Sequence, residues 1–312
     1  MNLDSYPKRM INYSIIIPHK NSANLLARCL HSIPQREDIQ IIVVDDNSTL
    51  DVDNLKDMVS QFPRTELVLT SGGGAGHARN IGLKYVKGKW ILFADADDFF
   101  HQNFLEELDK YLETQVDIVF FDTDSCYSEN LRPCETRIYE ISKGIKNRDI
   151  EYLKWKVHVV WGKLFNANLI QENNLRFDEV IASNDVTFAC MASYYARNVR
   201  INPFILYCST VNLNSLCYKM SRENIDARVD VALHFNRFVH SIGKGKYQIN
   251  LFSILLFYKQ LSFLLFIKKL YIYLRTVTIK MMLQDAKLSL NGIKRLLLGK
   301  GKLRKLQNLK ND

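Results

Sequence analysis

Four short apolar runs, each broken off by polar, acidic or glycine-rich residues, constrain this 312-residue chain more than any other feature. Residues 13–17 end at Pro18-His19-Lys20-Asn21, and residues 39–44 end at Asp45-Asp46-Asn47-Ser48-Thr49. Residues 66–69 run into Ser71-Gly72-Gly73-Gly74-Ala75-Gly76, and residues 90–94 stop at Asp95-Ala96-Asp97-Asp98. Helical spacing intervenes, with Leu25, Leu26, Cys29, Leu30 and Ile33 after the first run and Ile81, Leu83, Tyr85 and Val86 after the third. Strand and helix alternate four times, which predicts an open, mainly parallel sheet with its ligands at the carboxyl edge. All the unusual chemistry then falls on one rim.

The acidic run after residue 94 is the most informative of these ends. A buried interior does not accept three closely spaced carboxylates without partners, so they belong in a cleft. Two carboxylates one residue apart at such an edge can hold a hard divalent cation, which in turn holds phosphate oxygens. The competing reading makes Asp98 the cap of a helix starting near His101 or Gln102.

Ser14-Ile15-Ile16-Ile17-Pro18 with Asn21, Val43-Val44-Asp45-Asp46-Asn47-Ser48-Thr49, Ala78-Arg79-Asn80-Ile81-Gly82 and Asp95-Ala96-Asp97-Asp98 follow one another in order. Downstream stand Val160-Trp161-Gly162-Lys163-Leu164-Phe165 and Ser183-Asn184-Asp185-Val186-Thr187-Phe188. Together these motifs resemble a family 2 glycosyltransferase of the GT-A fold, of the kind that builds bacterial surface polysaccharide and lipopolysaccharide, over about residues 13–200. The resemblance implies that Asp46 accepts a hydrogen bond from the uracil of a UDP-sugar and that Pro18 and Asn21 form the loop beside the nucleotide. It implies Asp95 near the ribose and Asp97 on a metal bound to the diphosphate. That cofactor is expected to be Mn2+ or Mg2+, because carboxylate and phosphate oxygens suit hard cations. Arg79 fits a diphosphate contact through its several donors, or is a surface helix arginine. Two positions depart from the family pattern. Lys20 stands where an aromatic residue is common, and Gln102 where a proline often follows the acidic motif.

Inverting transfer also needs a base to remove the proton of the acceptor hydroxyl. The resemblance assigns that role to Asp185; otherwise Ser183 or Asn184 caps a helix and Asp185 only favours its positive end. Trp161 is either an apolar face for an acceptor sugar or a core residue. The glycine run 72–76 invites comparison with a dinucleotide fingerprint. The spacing fails, because a frame begun at Gly72 places His77, and one begun at Gly74 places Arg79, where the third glycine belongs. A flexible loop beside the diphosphate is the better reading.

Six cysteines without C-x-x-C spacing are expected to be reduced thiols. No long apolar stretch precedes Tyr13, so no signal peptide is expected. Charge is unevenly spread: residues 241–312 carry 15 Lys and Arg against two acidic residues, within an overall net charge of +9. The apolar stretch 251–267 is 17 residues long and holds Lys259, whereas crossing a bilayer takes roughly 20 apolar residues. With the basic residues 300–305 behind it, this region is expected to dock on an anionic membrane surface or to pack as a core helix with its lysines solvated. It lacks the recognition elements of a nucleic-acid-binding fold.

The expected protein is therefore α/β, a GT-A-type sheet flanked by helices with a helical C-terminal extension. Residues 1–115 form the donor part, 116–220 the acceptor and catalytic part, and 221–312 the basic extension. Within the acceptor part, residues 122–146 read as a polar, mobile flap. The expected activity is metal-dependent inverting transfer of a sugar from a nucleotide-sugar, a UDP-hexose, to a glycan or lipid-linked glycan acceptor. The expected location is the cytoplasm, peripheral on the inner face of the membrane. The alternatives are a nucleotide-sugar-binding protein without transferase activity and a nucleotidyltransferase.

Overall fold

A computed structural model describes residues 10–50, 52–134, 138–212 and 221–297, with side chains of the last helix described as far as Gly292. The basic cluster 300–305 and Cys217 lie outside the described residues. The chain forms two compact units, residues 1–216 and 217–312.

The first unit begins with β1 (Tyr13–His19), α1 (Ala23–His31), β2 (Ile39–Asp45), α2 (Val52–Ser60), β3 (Thr65–Leu69), α3 (Gly74–Leu83) and β4 (Trp90–Phe93). The four expected strands are all present. It continues with β5 (Phe99–Phe100), α4 (Phe104–Asp109), β6 (Ile118–Tyr127), α5 (Tyr139–Lys146), α6 (Ile150–Lys156), β7 (Lys163–Asn166), α7 (Ala167–Glu172), α8 (Val186–Tyr195) and β8 (Val199–Val211). One eight-stranded sheet runs in the order β3-β2-β1-β4-β7-β6-β8-β5. The first four strands are parallel, β7 is antiparallel to both β4 and β6, β6 and β8 are parallel, and β5 is antiparallel to β8.

The central strands are apolar because helices cover both faces. Ile15, Ile16, Ile17, Ile41, Ile42, Val43 and Val44 are all fully buried, as near-continuous apolar runs in parallel strands require. Where a polar residue enters the sheet it is paired: Ser14 Oγ donates to Gln40 Oε1 at 2.7 Å on the neighbouring strand. Helix α3 lies close on the sheet because Gly82 has no side chain, and a Cβ there would come 2.5 Å from Ile16 Cγ2. This parallel half delivers the ends of β1, β2 and β4 to a common edge, since Ile17 pairs with Val43 and Ile16 with Phe93.

The flap expected over 122–146 is instead regular at both ends. Strand β6 continues through Tyr127, and α5 covers Tyr139–Lys146. Its polarity hid it, because Thr123 and Ser125 are buried strand residues. Ser125 Oγ is satisfied by the Cys134 carbonyl at 2.7 Å.

The second unit is helical: α9 (Arg222–Ser241), a 3-10 turn over Gly245–Tyr247, α10 (Leu251–Leu255), α11 (Tyr258–Leu261), α12 (Phe263–Thr276) and α13 (Ile279–Leu297). The apolar stretch 251–267 is thus divided among three helices. The Asn250 side chain caps the start of α10; the first break falls at Leu256 and Phe257 without a side-chain cap, and the second at Ser262, whose hydroxyl caps α12. Among the described residues no helix is long and apolar enough to cross a membrane. Ile225, Leu251, Leu255, Tyr258 and Phe266 form a separate core. Asp285, one of the few acidic residues in this basic segment, is buried and accepts from Gln248 Nε2 at 2.6 Å, Tyr273 Oη at 2.8 Å and the Leu251 amide at 3.1 Å.

Candidate active site

The carboxyl ends of β1 and β2 form the first wall. Asp45 is buried and accepts from Ser48 Oγ at 2.5 Å, from the Ser48 amide at 2.8 Å and contacts His19 Nδ1 at 2.8 Å. Burial opposes its charge, yet the Ser48 and His19 bonds win and hold its carboxyl below the ordinary range. Asp45 is therefore a brace, and the next residue is the one that faces the glycine loop. Asp46 accepts from the Gly74 amide at 2.9 Å and from Lys20 Nζ at 3.1 Å. The lysine that replaces an aromatic residue is thus the ionic partner of Asp46. Asn21 takes a φ of 50° and spends its side chain on the loop after β2, accepting from the amides of Thr49 at 2.8 Å and Leu50 at 3.1 Å. Pro18 pairs with Val44 within the sheet.

Strand β4 supplies the acidic loop. Asp98 does not cap a helix: α4 starts at Phe104, and Asp98 is buried, accepting from the Thr210 amide at 2.6 Å and Tyr207 Oη at 2.8 Å. The reason is the short strand β5, whose pairing with β8 draws the residue before it inward. Burial, then the charges of Asp97 and Asp95, push the Asp98 carboxyl well above the ordinary range. Tyr207 Oη also accepts from the Asp95 amide at 2.8 Å, and Thr210 Oγ1 donates to the Asp97 carbonyl at 2.7 Å. Arg28 donates to the same carbonyl. The loop backbone is held from behind, while the Asp95 and Asp97 side chains stay part-exposed at its front.

Arg79 joins this loop to the segment before α8. It is 6% exposed, with Nη2 donating to Asp95 Oδ1 at 2.5 Å and Nη1 to Asn184 Oδ1 at 2.9 Å. It is not a surface arginine, and its buried Nε has no protein partner. Asn184 is therefore occupied by Arg79 rather than capping α8. Ser183 before it has a φ of 60°, an uncommon conformation for a residue with a side chain. Asp185 sits at the N-cap position of α8 and makes no cap hydrogen bond. Burial raises its carboxyl above the ordinary range, opposed by Arg79 and Lys163. The loop can approach α3 only because residue 76 is glycine; a Cβ there would lie 2.1 Å from the Asp178 carbonyl oxygen.

Two aromatic and basic residues complete the rear. Trp161 is 4% exposed and stacks on Tyr207, with centroids 5.6 Å apart. Of its two readings the structure shows the core one: Trp161 is turned inward and packs behind the ring that holds the acidic loop. Lys163, whose role the sequence did not reveal, is 2% exposed, donates to the Val157 carbonyl at 2.8 Å and lies over the Phe120 ring. Burial lowers its amine to about 7, with the Asp185 charge pulling the other way. Tyr207 and Thr210 were also missed, since nothing local in a polar strand marks a residue that serves a loop more than a hundred positions earlier.

Residues 14–167 match the family model described as Glycosyl transferase family 2. The chain belongs to that family. A Bacillus spizizenii relative, poly(ribitol-phosphate) beta-glucosyltransferase, is 31% identical over 203 residues, 61% of this chain and 30% of that protein. The family member described here therefore spans under a third of that relative's length. Among solved structures, S. aureus TarS 1-349 in complex with UDP-GlcNAc superposes with a TM-score of 0.62 at 19% identity, covering 78% of this chain and 72% of that one. The Pyrobaculum calidifontis mannosyltransferase PcManGT, in complex with GDP-Man and Mn2+, gives 0.53 at 18% identity, covering 93% and 81%. These two likenesses establish the GT-A fold.

The expected cation can be tested against the donor set. Oxygens of Asp95, Asp97 and Asp98 lie within 4.8 Å of one another. Asp98 is committed to Tyr207 and Thr210, and Asp95 is shared with Arg79. All-carboxylate donors at a part-exposed edge fit a hard cation that keeps positions for phosphate oxygens.

Proposed function

We propose that this protein transfers a sugar from a nucleotide-sugar, a UDP-hexose, to a hydroxyl of a bacterial-type surface glycan, with inversion at the anomeric carbon. The observation that carries the reading is the Arg79 fork, which ties Asp95 at the donor edge to Asn184, the neighbour of the candidate base. Family membership and the UDP-GlcNAc held by the TarS neighbour support the donor class. The poly(ribitol-phosphate) glucosyltransferase supports a surface-polymer acceptor.

Asp46 would accept from the uracil, using lone pairs left after Gly74 and Lys20. The buried Nε of Arg79 would turn to a diphosphate oxygen. Asp185 would take the proton of the acceptor hydroxyl as its oxygen attacks the anomeric carbon. The bond from that carbon to the diphosphate oxygen breaks, and UDP departs with the electron pair. Asp97, with Asp95 beside it, would hold Mn2+ or Mg2+, which supplies charge neutralisation on the diphosphate when bound. Pro18 and Asn21 shape the nucleotide loop through the backbone.

An anionic membrane surface is the proposed partner of the second unit. Leu264, Ile267, Tyr271 and Leu274 recur at helical spacing on α12, exposed by 80, 45, 55 and 53%. Lys268 and Arg275 lie in the same helix.

The test is incubation with a panel of UDP-sugars and Mn2+, measuring UDP released by background hydrolysis. One UDP-hexose should release UDP above buffer, and Asp97→Ala should abolish metal-dependent donor affinity in calorimetry. Donor binding without any turnover, even with acceptor glycans supplied, would favour the binding-only protein. Equal affinity with and without EDTA would remove the metal from the scheme.

A further inference from the structure

Behind the acidic loop, on strands that the proposed chemistry uses only as scaffolding, lies a second cluster of metal-ligating side chains. His101 follows β5 directly, and its amide donates to the Leu206 carbonyl at 3.0 Å. Asp124 and Cys126 are two residues apart on β6 and so point to one face of the sheet. Register pairs Asp124 with Cys208 on β8, which brings Cys208 to that face as well. His101 Nε2 is 2.8 Å from Asp124 Oδ1. Candidate ligand atoms of His101, Asp124 and Cys208 all lie within 4.8 Å of one another. The sulfur of Cys126 is 3.2 Å from that of Cys208.

The chemistry of this set differs from that of the acidic loop. An imidazole, a thiol and a carboxylate, with a second thiol adjacent, are the donors that a tetrahedral zinc-class ion takes, whereas Mn2+ and Mg2+ favour oxygen alone. The geometry also gives such an ion a way in. The two thiols are buried, while the side chains of His101 and Asp124 are 33 and 42% exposed.

We propose that His101, Asp124 and Cys208 form a zinc-class cation site distinct from the acidic loop, with Cys126 as the neighbouring fourth donor. Such an ion ties β5, β6 and β8 together at one point. It would also brace the site proposed for the donor, because Tyr207 and Thr210 flank Cys208 on the strand that holds Asp95, Asp97 and Asp98. The proposal does not depend on glycosyl transfer, and its readout is metal binding alone.

The experiment uses the full chain, purified under reducing conditions and stripped of metal, titrated with Zn2+ and separately with Co2+. One equivalent of Zn2+ should bind and raise the melting temperature. Co2+ should give a thiolate charge-transfer band with the visible bands of tetrahedral coordination. His101→Gln, at a part-exposed side chain, should fold and weaken Zn2+ binding by more than ~100-fold, beyond the loss that follows removal of an outer-shell partner. Cys208→Ser should abolish the charge-transfer band, and Asp97→Asn should leave Zn2+ affinity unchanged. The proposal is overturned if Zn2+ fails to bind, if His101→Gln binds it as tightly as the parent, or if Asp97→Asn is the variant that loses it. A Cys126–Cys208 disulfide that persists through purification under reducing conditions would overturn it as well.

Discussion

Two carboxylates of this protein stand in opposite roles for reasons visible at single residues. Asp45 gives its oxygens to Ser48 and His19 and stays charged as a brace. Asp185 stands at the start of α8 without the cap hydrogen bond its position offers, next to an asparagine that Arg79 has engaged. A carboxylate that makes no cap hydrogen bond and is raised by burial fits a proton acceptor. Asp185→Asn keeps the shape and removes the acceptor, so turnover should fall by roughly 10²- to 10⁴-fold, about 3–5 kcal/mol of barrier, with donor affinity almost unchanged. Steady-state kinetics alongside donor calorimetry would check both halves. The pH profile carries a further sign. The base must be ionised, and its pKa lies above the ordinary 3.8, so the acid limb of turnover should lie above that value. Near-normal turnover in the variant would return Asp185 to a purely structural place.

At the scale of elements, strand β8 shows how a fold positions chemistry it does not itself perform. Tyr207 and Thr210 hold Asp98 inside the protein and fix the Asp95 amide and the Asp97 carbonyl. Because folding raises the Asp98 pKa, its stabilising contribution is full below the unfolded value near 3.8 and is lost as pH rises through the folded one. Asp98→Asn does not titrate, and its side chain can still accept from Thr210. It should therefore melt higher relative to the parent above neutrality, and lose that advantage near pH 3.8. Asp98→Ala should cost about 1–3 kcal/mol, because two buried donors lose their acceptor. Thermal melts across pH decide both. The same strand marks the limit of sequence reading. Strands β1 to β4 were legible because their apolar runs stop at chemically distinct residues, and the acidic loop, Arg79 and Asp185 lie in local motifs. Strand β6 was not, because its buried Thr123 and Ser125 look like loop residues. The service of Tyr207 to Asp95 and the inward turn of Trp161 arise from pairings between distant segments, which no local pattern encodes. The division of residues 251–267 into three helices turned on one capping hydroxyl, Ser262, and on a break at Leu256 and Phe257 that no polar residue marks.

At the scale of the whole molecule, charge and exposed apolar surface coincide in the second unit. Its core is separate, and Asp285 is consumed inside it by Gln248, Tyr273 and Leu251. Asp285, one of the two acidic residues of the segment 241–312, thus offers nothing to offset the surface lysines. Along α12 the exposed Leu264, Ile267, Tyr271 and Leu274 follow the three- and four-residue spacing of one helix face, and Ile279, Leu283 and Leu290 are exposed on α13. Apolar burial alone would favour neutral and anionic bilayers alike. Attraction adds on the order of 1 kcal/mol for each basic residue near an anionic surface and is screened within a Debye length. Docking that uses both should therefore be selective: the full-length protein should co-sediment with anionic vesicles, release with salt, and ignore neutral ones. Leu264→Glu with Ile267→Glu, at exposed positions, should weaken sedimentation without altering background UDP-sugar hydrolysis, because Asp46, Asp95, Asp97 and Asp185 all belong to the first unit. If the parent protein ignores anionic vesicles at low salt, the stripe and the lysines serve a protein partner instead. Binding that persists at high salt would assign the contact to the apolar face alone.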